Sequence, residues 1–359
     1  MRVLMVTQAV DLDHPILGFT HTWINALARR VEELHVVTLV AGRRHLAGNV
    51  VLHAYGPPAA SHSRLSRFWF YNKHFARLIL DGRVDVIFVH MIPRWVLLAA
   101  PYAKPRQVPI VLWYAHGAAS RQLRLAHHLA DRVVTSSPES YPLWDEDRVV
   151  VVGQGIDTKR FCPAPRQSDG LFRVLSVGRL SPVKQYDILI EAARILVQER
   201  GMDNLRVRVV GGPARPGDEE YVRTLRRKVS AYGLEGRFAF AGTVRFDKIV
   251  SEYQRSQLFV SCQPTSMDKT VLEAMACGVP VVASSPAFEP LLSEVGSKWV
   301  VPDGDSRGVA DVVEQVAGMS PEQRLALGLM MREKVEQGHG VERLMLQLVR
   351  MFEQLLENS

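Results

Sequence analysis

The chain lacks any apolar run approaching the roughly 18 residues that a membrane-spanning helix needs, so no such span is expected. Cysteine is scarce. Cys162, Cys262 and Cys277 are odd in number and set among ordinary core and loop residues, which suggests neither a disulfide framework nor a cysteine metal centre. A reducing cytoplasm suits such a chain. The opening MRVLMVTQAV turns polar too soon for a signal peptide and reads as a first buried strand. Tandem repeats are also missing, so any likeness between parts of the chain is architectural.

What is present is a globular composition, 47% hydrophobic and 23% charged, over 359 residues, a length that favours two domains. The net charge is +7. Through Pro165 there are 19 basic against 12 acidic residues, and afterwards 25 against 25, so the whole excess lies in the first half. Such asymmetry suits contact with something anionic, a lipid surface, a phosphorylated acceptor or an acidic polysaccharide, although a merely basic surface reads the same way.

Short apolar runs recur at Val3 to Val6, Leu34 to Val40, Val84 to Val89, Ile110 to Trp113, Arg132 to Thr135 and Val149 to Val152, with helical spacing between several of them. Runs without clean alternation, separated by helices, indicate a parallel sheet covered on both faces. A polar, proline-bearing stretch from Thr158 to Gly170 reads as a linker. The pattern then restarts at Arg173 to Val177, Leu205 to Val210, Arg237 to Phe240, Leu258 to Ser261, Val279 to Ala283 and Trp299 to Val301. The fold class is therefore α/β, with two Rossmann-like domains, residues 1–160 and 161–340. A last helix over 341–359 carries an apolar face that could pack back on the first domain. Ligands of open α/β sheets bind where the carboxyl ends of the strands point, so two facing domains imply a central cleft.

Two segments of the second half carry chemistry. In LSVGRLSPVKQYDILIEAARIL, from Leu175, a strand ends at Val177, Gly178 turns, and Arg179 and Lys184 precede an amphipathic helix. Two cations at a helix start favour anionic oxygens, although solvated charge gives the same pattern. In LFVSCQPTSMDKTVLEAMACGVPVVASS, from Leu258, a polar loop leads into a helix holding Glu273 and ending at Gly278. A carboxylate there can accept from a ribose diol, and it can equally be a surface glutamate.

Taken with VVGGP at Val209 to Pro213, FAGTV at Phe240 to Val244 and VVGQGIDTKRF from Val151, these segments resemble, in order and spacing, the donor half of retaining glycosyltransferases of the two-domain GT-B type. The resemblance is strongest from Val151 to Ser284. It implies transfer of a hexosyl unit from a UDP- or GDP-sugar to a hydroxyl acceptor, with no cofactor and no metal. Arg179 and Lys184 would hold the diphosphate, and Glu273 the ribose. Gly178, Gly211 and Gly212 would let backbone approach the nucleotide, while Gly18 would do so in the first half. His116, in WYAHG, would sit beside the transferred sugar. The family usually has a glutamate eight positions before Glu273, where Thr265 stands here. Asp268 and Lys269, with Thr270 and Val271, are the candidates to supply its contact with the donor.

Other readings stay open at this stage. The missing glutamate also suits a catalytically silent nucleotide-sugar-binding scaffold, and an epimerase shares the architecture. Asp11 with Asp13, and Asp145 with Asp147, match the Asp-x-Asp pattern of metal-dependent transferases. The stretch Arg64 to Arg83 interleaves basic residues with Phe68, Trp69, Phe70, Tyr71 and Phe75. It suits either a helix resting on the anionic inner face of a membrane, for a lipid-linked acceptor, or one burying its rings in the core. No nucleic-acid module accompanies it.

Overall fold

The computed structural model describes residues 1–14, 16–57, 63–165, 169–213, 215–296 and 298–358. The chain forms two compact units, Met1–Gly155 with His339–Ser359, and Ile156–Gly338. Of the linker stretch read at Thr158 to Gly170, residues 166–168 lie outside the described ones.

The first unit holds seven strands, β1 (Arg2–Val10), β2 (Glu33–Ala41), β3 (Val50–Gly56), β4 (Val86–His90), β5 (Ile110–Trp113), β6 (Arg132–Thr135) and β7 (Val149–Val151). They pair in the order β3-β2-β1-β4-β5-β6-β7, all parallel. The second unit holds β8 (Phe172–Val177), β9 (Leu205–Val210), β10 (Phe238–Phe240), β11 (Leu258–Ser261) and β12 (Val281–Ala283). Their order is β10-β9-β8-β11-β12, again all parallel. Central strands such as β4 and β5 are buried at every residue, as a sheet covered on both faces requires.

Two differences from the sequence reading have simple causes. β3 escaped notice because it is an edge strand with most residues half exposed, so its VVLHAYG carries no buried run. Trp299 to Val301 forms only a single bridge, Val300 to Ala283, because chain direction changes again at Pro302.

The terminal helix Val341–Glu357 belongs to the first unit. Leu344, Met345, Leu348 and Phe352 are fully buried and share a cluster with Trp23, Ile24 and Leu27 of the helix Thr20–Ala28. Each such side chain contributes about 2 kcal/mol through burial. Arg29 and Arg30 both reach Glu342, at 2.8 and 2.5 Å, on the exposed rim of that contact. In the second unit, Gly328 of the helix Pro321–Gly338 lies so near the Gly278 carbonyl that a Cβ would fall 2.0 Å from its oxygen. Arg332 of the same helix donates to the carbonyls of Thr158, Phe161 and Ala276. The helix Lys269–Ala276 is thereby pinned at its end.

Among the described residues, no helix is long and apolar enough to cross a membrane. The helix Arg64–Phe75 divides its aromatics: Tyr71 and Phe75 enter the core and Phe70 packs beside it. Phe68 and Trp69 remain 46% and 69% exposed.

Candidate functional site

The second unit gathers most of the candidate residues at the carboxyl ends of β8, β9 and β11. β8 leads into a tight turn in which the Gly178 amide donates to the Val210 carbonyl and the Leu180 amide to Gly212, each at 2.9 Å. Gly211, with φ +146°, passes beside that turn: a Cβ there would lie 1.8 Å from the Gly178 oxygen. At Gly212 a Cβ would meet the Thr243 hydroxyl at 2.8 Å. The visible demand for glycine at these two positions is thus contact between neighbouring turns of the same unit.

Arg179 is half-buried in the turn, and its guanidinium has no hydrogen-bond or ion-pair partner among the described residues. Lys184 differs. Its ammonium lies 2.5 Å from Asp268 Oδ2, with both side chains about one-tenth exposed. Asp268 also caps the helix Lys269–Ala276 by accepting from the Thr270 amide at 3.3 Å, and takes a longer bond, 3.4 Å, from the Ser261 hydroxyl. The aspartate read as a possible sugar contact therefore acts here as counter-ion and helix cap.

One turn along that helix, Glu273 is buried and accepts from the Tyr253 hydroxyl at 2.8 Å. Burial raises the Glu273 carboxyl and lowers the Lys269 ammonium, each opposed by attraction between the two. Asp268 adds to the rise of Glu273, and Arg160 opposes it. Arg160 stacks over the Phe246 ring at 3.9 Å, which holds its cation on this side of the unit. Val271 is a core residue of the helix, whereas Thr270 Oγ1 is buried without a partner.

Thr270 is not alone. Ser181 Oγ and Gln185 Oε1, both on the segment that follows Arg179, are likewise buried without hydrogen bonds, and the buried Tyr186 hydroxyl beside them has, among the described residues, only Ser176 as a neighbour to bond. Buried polar atoms are normally satisfied, so this concentration marks a place where a polar ligand or water completes the bonding. Gln185 also holds a left-handed backbone, φ 48°, to start the helix Tyr186–Arg194. Sequence reasoning missed Tyr253, Arg160 and Tyr186. Tyr186 could have been found from its place beside Lys184, but Tyr253 and Arg160 approach Glu273 only through the fold.

The first unit holds the other two candidates. Gly18 is buried in the turn after β1, its amide donating to the His14 carbonyl at 3.2 Å. His116 follows β5 and is exposed, with Nδ1 accepting from the Ala118 amide at 3.1 Å. Both lie on carboxyl-end loops of that sheet.

Neither Asp-x-Asp pair is arranged as a cation site. Asp11 Oδ1 accepts from the amides of Asp13 and Arg43, and Asp13 pairs with Arg43 at 2.8 Å. Asp145 Oδ1 accepts from the Asp147 amide at 3.1 Å. Both pairs are turns of the Asx kind. Among the described residues no group of three or more His, Cys, Asp or Glu is placed to hold a metal ion.

Comparison with known proteins places this arrangement. Residues 172–318 match the family described as Glycosyl transferases group 1, and residues 19–160 match Glycosyltransferase Family 4. A D-inositol 3-phosphate glycosyltransferase of Geodermatophilus obscurus is 33% identical over 152 residues, 39% of this chain and 34% of the relative. The mannosylfructose-phosphate synthase of Agrobacterium fabrum is 28% identical over 182 residues, 45% of this chain and 40% of the relative. These alignments thus take in well under half the length of either relative. Among solved structures, Anabaena HepE in complex with UDP and glucose has a TM-score of 0.76 at 19% identity, covering 98% of this chain and 99% of its own. The sucrose-phosphate synthase of Thermosynechococcus elongatus has a TM-score of 0.77 at 17% identity, covering 100% of both chains. The fold shared with these structures is GT-B.

Proposed function

Because the chain belongs to the group 1 and family 4 glycosyltransferases, we propose that it moves a hexosyl unit from a UDP- or GDP-sugar to a hydroxyl acceptor, with retention and without a metal. The observation that carries this reading is the turn after β8, where the unpartnered Arg179 guanidinium shares one strand-turn-helix segment with Lys184 of the buried Lys184–Asp268 pair and with the orphaned Ser181 Oγ and Gln185 Oε1. The likeness to HepE, solved with UDP, supports a nucleotide-bearing donor.

In this mechanism the departing diphosphate gains negative charge as the glycosidic bond stretches. Arg179 and Lys184 stabilise that charge, and the diphosphate takes the proton of the acceptor hydroxyl on the face it leaves, so configuration is retained. No protein nucleophile takes part. Glu273, kept in place by Tyr253, accepts from the ribose hydroxyls. In the first unit, Gly18 and His116 are the residues proposed to take part on the donor side. With Thr265 in place of the usual glutamate, Lys269 and Thr270 supply the remaining donor contacts.

The acceptor side reads as a lipid-linked hydroxyl at the cytoplasmic face of a membrane. Leu65, Phe68 and Trp69, at i, i+3 and i+4 of one helix, are exposed beside the exposed Arg64 and Arg67, the pattern of a surface that rests on anionic lipid. Incubating the protein with UDP- and GDP-hexoses, with and without chelator, and following release of nucleoside diphosphate tests the reading. Release that survives chelation supports it; the absence of release from every donor, even by hydrolysis, overturns it in favour of a silent scaffold.

A further inference from the structure

The first unit carries a cavity of about 520 Å3 lined by Arg124, His127, His128, Leu143, Trp144 and Asp145. Its size lies within the roughly 300–1,000 Å3 of small-molecule sites. One wall is the last two turns of the helix Arg121–Leu129, which leads into the amino end of β6. The other is the segment before the amino end of β7. All strands of this sheet run the same way, and Gly18 and His116 follow carboxyl ends. The cavity therefore opens at the opposite edge of the sheet from those two residues.

Its back wall is fixed before any ligand arrives. His127 is buried, with Nδ1 3.0 Å from the Tyr141 hydroxyl and Nε2 3.5 Å from Asp145 Oδ2. The imidazole also lies nearly parallel to the Tyr141 ring, at 28° and 6.0 Å between centroids. Against this polar wall stands Trp144, 46% exposed, with Arg124 and His128 exposed beside it.

We propose that this cavity binds a saccharide, with the Trp144 indole against the C–H face of a pyranose ring and Arg124, His128 and Asp145 bonding to its hydroxyls. A pyranose has one apolar face and a rim of groups that each donate and accept. A purely apolar ligand would desolvate the Arg124 guanidinium without giving it a partner, at a cost the indole contact does not offset. A phosphate would face the Asp145 carboxylate. A saccharide meets both the ring and the mixed donors and acceptor, and an indole is the side chain that joins an apolar face to a polar rim. The inference is independent of the donor-site reading, since it involves no residue of the second unit.

Native affinity electrophoresis of the full chain through gels containing α-mannan, dextran or glycogen tests it. At least one of the three polysaccharides should retard the wild-type protein. Trp144→Ala should weaken that interaction by roughly fivefold to tenfold, with Trp144→Phe intermediate. Trp69→Ala, at the other exposed tryptophan of this unit, and Arg179→Ala should migrate as wild type. Retardation by none of the three, or equal retardation of Trp144→Ala, overturns the proposal. Failure of the donor-site reading would appear instead as absent nucleotide binding, with the Trp144 result unchanged.

Discussion

The two units share one architecture but hold their functional groups differently. In the second unit, two charged candidates are locked before a ligand arrives, Lys184 on Asp268 and Glu273 on Tyr253, with the helix carrying Glu273 pinned by Gly328 and Arg332, and Arg179 is left without a partner among the described residues. In the first, His116 stands exposed on a loop, Phe68 and Trp69 face solvent, and most of the basic excess resides there, 19 basic against 14 acidic residues where the second unit has 25 against 23. The contrast suits a rigid pocket that recognises one invariant chemical group on one side, and an adaptable surface that meets a larger, variable partner on the other. Rigid placement is what electrostatic stabilisation of a leaving group demands, because donors already aimed need no reorganisation.

The largest effect that tests this contrast is at Arg179. Arg179→Ala should lower turnover by roughly a hundredfold to a thousandfold while leaving the melting temperature near that of wild type, since the side chain has no partner to lose. Lys184→Ala should behave otherwise. It strips a buried aspartate of its counter-ion, and chemical denaturation should show a loss of about 3 kcal/mol beside the loss of activity. The double variant Lys184→Met with Asp268→Asn should recover much of that stability and none of the activity. A Lys184→Ala variant that melts as wild type does would show that this ion pair does not preorganise the second unit.

Gly211→Ala should cost about 2 kcal/mol or more, because the added carbon meets the Gly178 carbonyl and φ is +146°. Circular dichroism melts would show it, and an unchanged melt would mean the two turns are free to separate.

The smallest effect belongs to the first unit and to pH. His35 Nδ1 and His53 Nε2 lie 3.2 Å apart, and the His74 ring sits 4.8 Å from that of His53. Burial, then the charges of His74, His35, Arg77 and Arg83, lower His53 to about 4. A histidine whose folded pKa is below its unfolded value leaves stability full above about 6.5 and lost as pH falls toward 4. His53→Gln should therefore flatten the acid side of the melting profile by the order of a few degrees between those pH values, with little change at pH 8. An equal acid slope in the variant would show that the cluster does not govern it.

How much of this was legible in the sequence depended on how local the signal was. Gly178, Arg179 and Lys184 fall on one strand-turn-helix passage, so both their placement and their neighbourhood could be read directly. Glu273 was legible as a helix residue near a sheet edge, but its hydroxyl partner Tyr253 lies 20 positions earlier on another helix and has no pattern of its own. The Lys184–Asp268 pair spans 84 positions, and nothing in either segment indicates that one neutralises the other. β3 was invisible because an edge strand need not be apolar. The aromatic helix was legible only as a choice between core and surface, and the fold takes both options, burying Tyr71 and Phe75 while exposing Phe68 and Trp69.

The central claim is that the second unit alone carries the nucleotide-recognising charge. The most direct measurement is a thermal-shift titration of the full chain with UDP and with GDP, run on wild type, Arg179→Ala, Glu273→Gln and His116→Ala. A ligand at about 100 times its dissociation constant stabilises the folded state by about 2.7 kcal/mol, a shift of several degrees for units of this size. The account predicts that one diphosphate produces this shift in wild type and His116→Ala, and that it falls sharply in Arg179→Ala and Glu273→Gln. An undiminished shift in both second-unit variants, or none in wild type with either diphosphate, would contradict it.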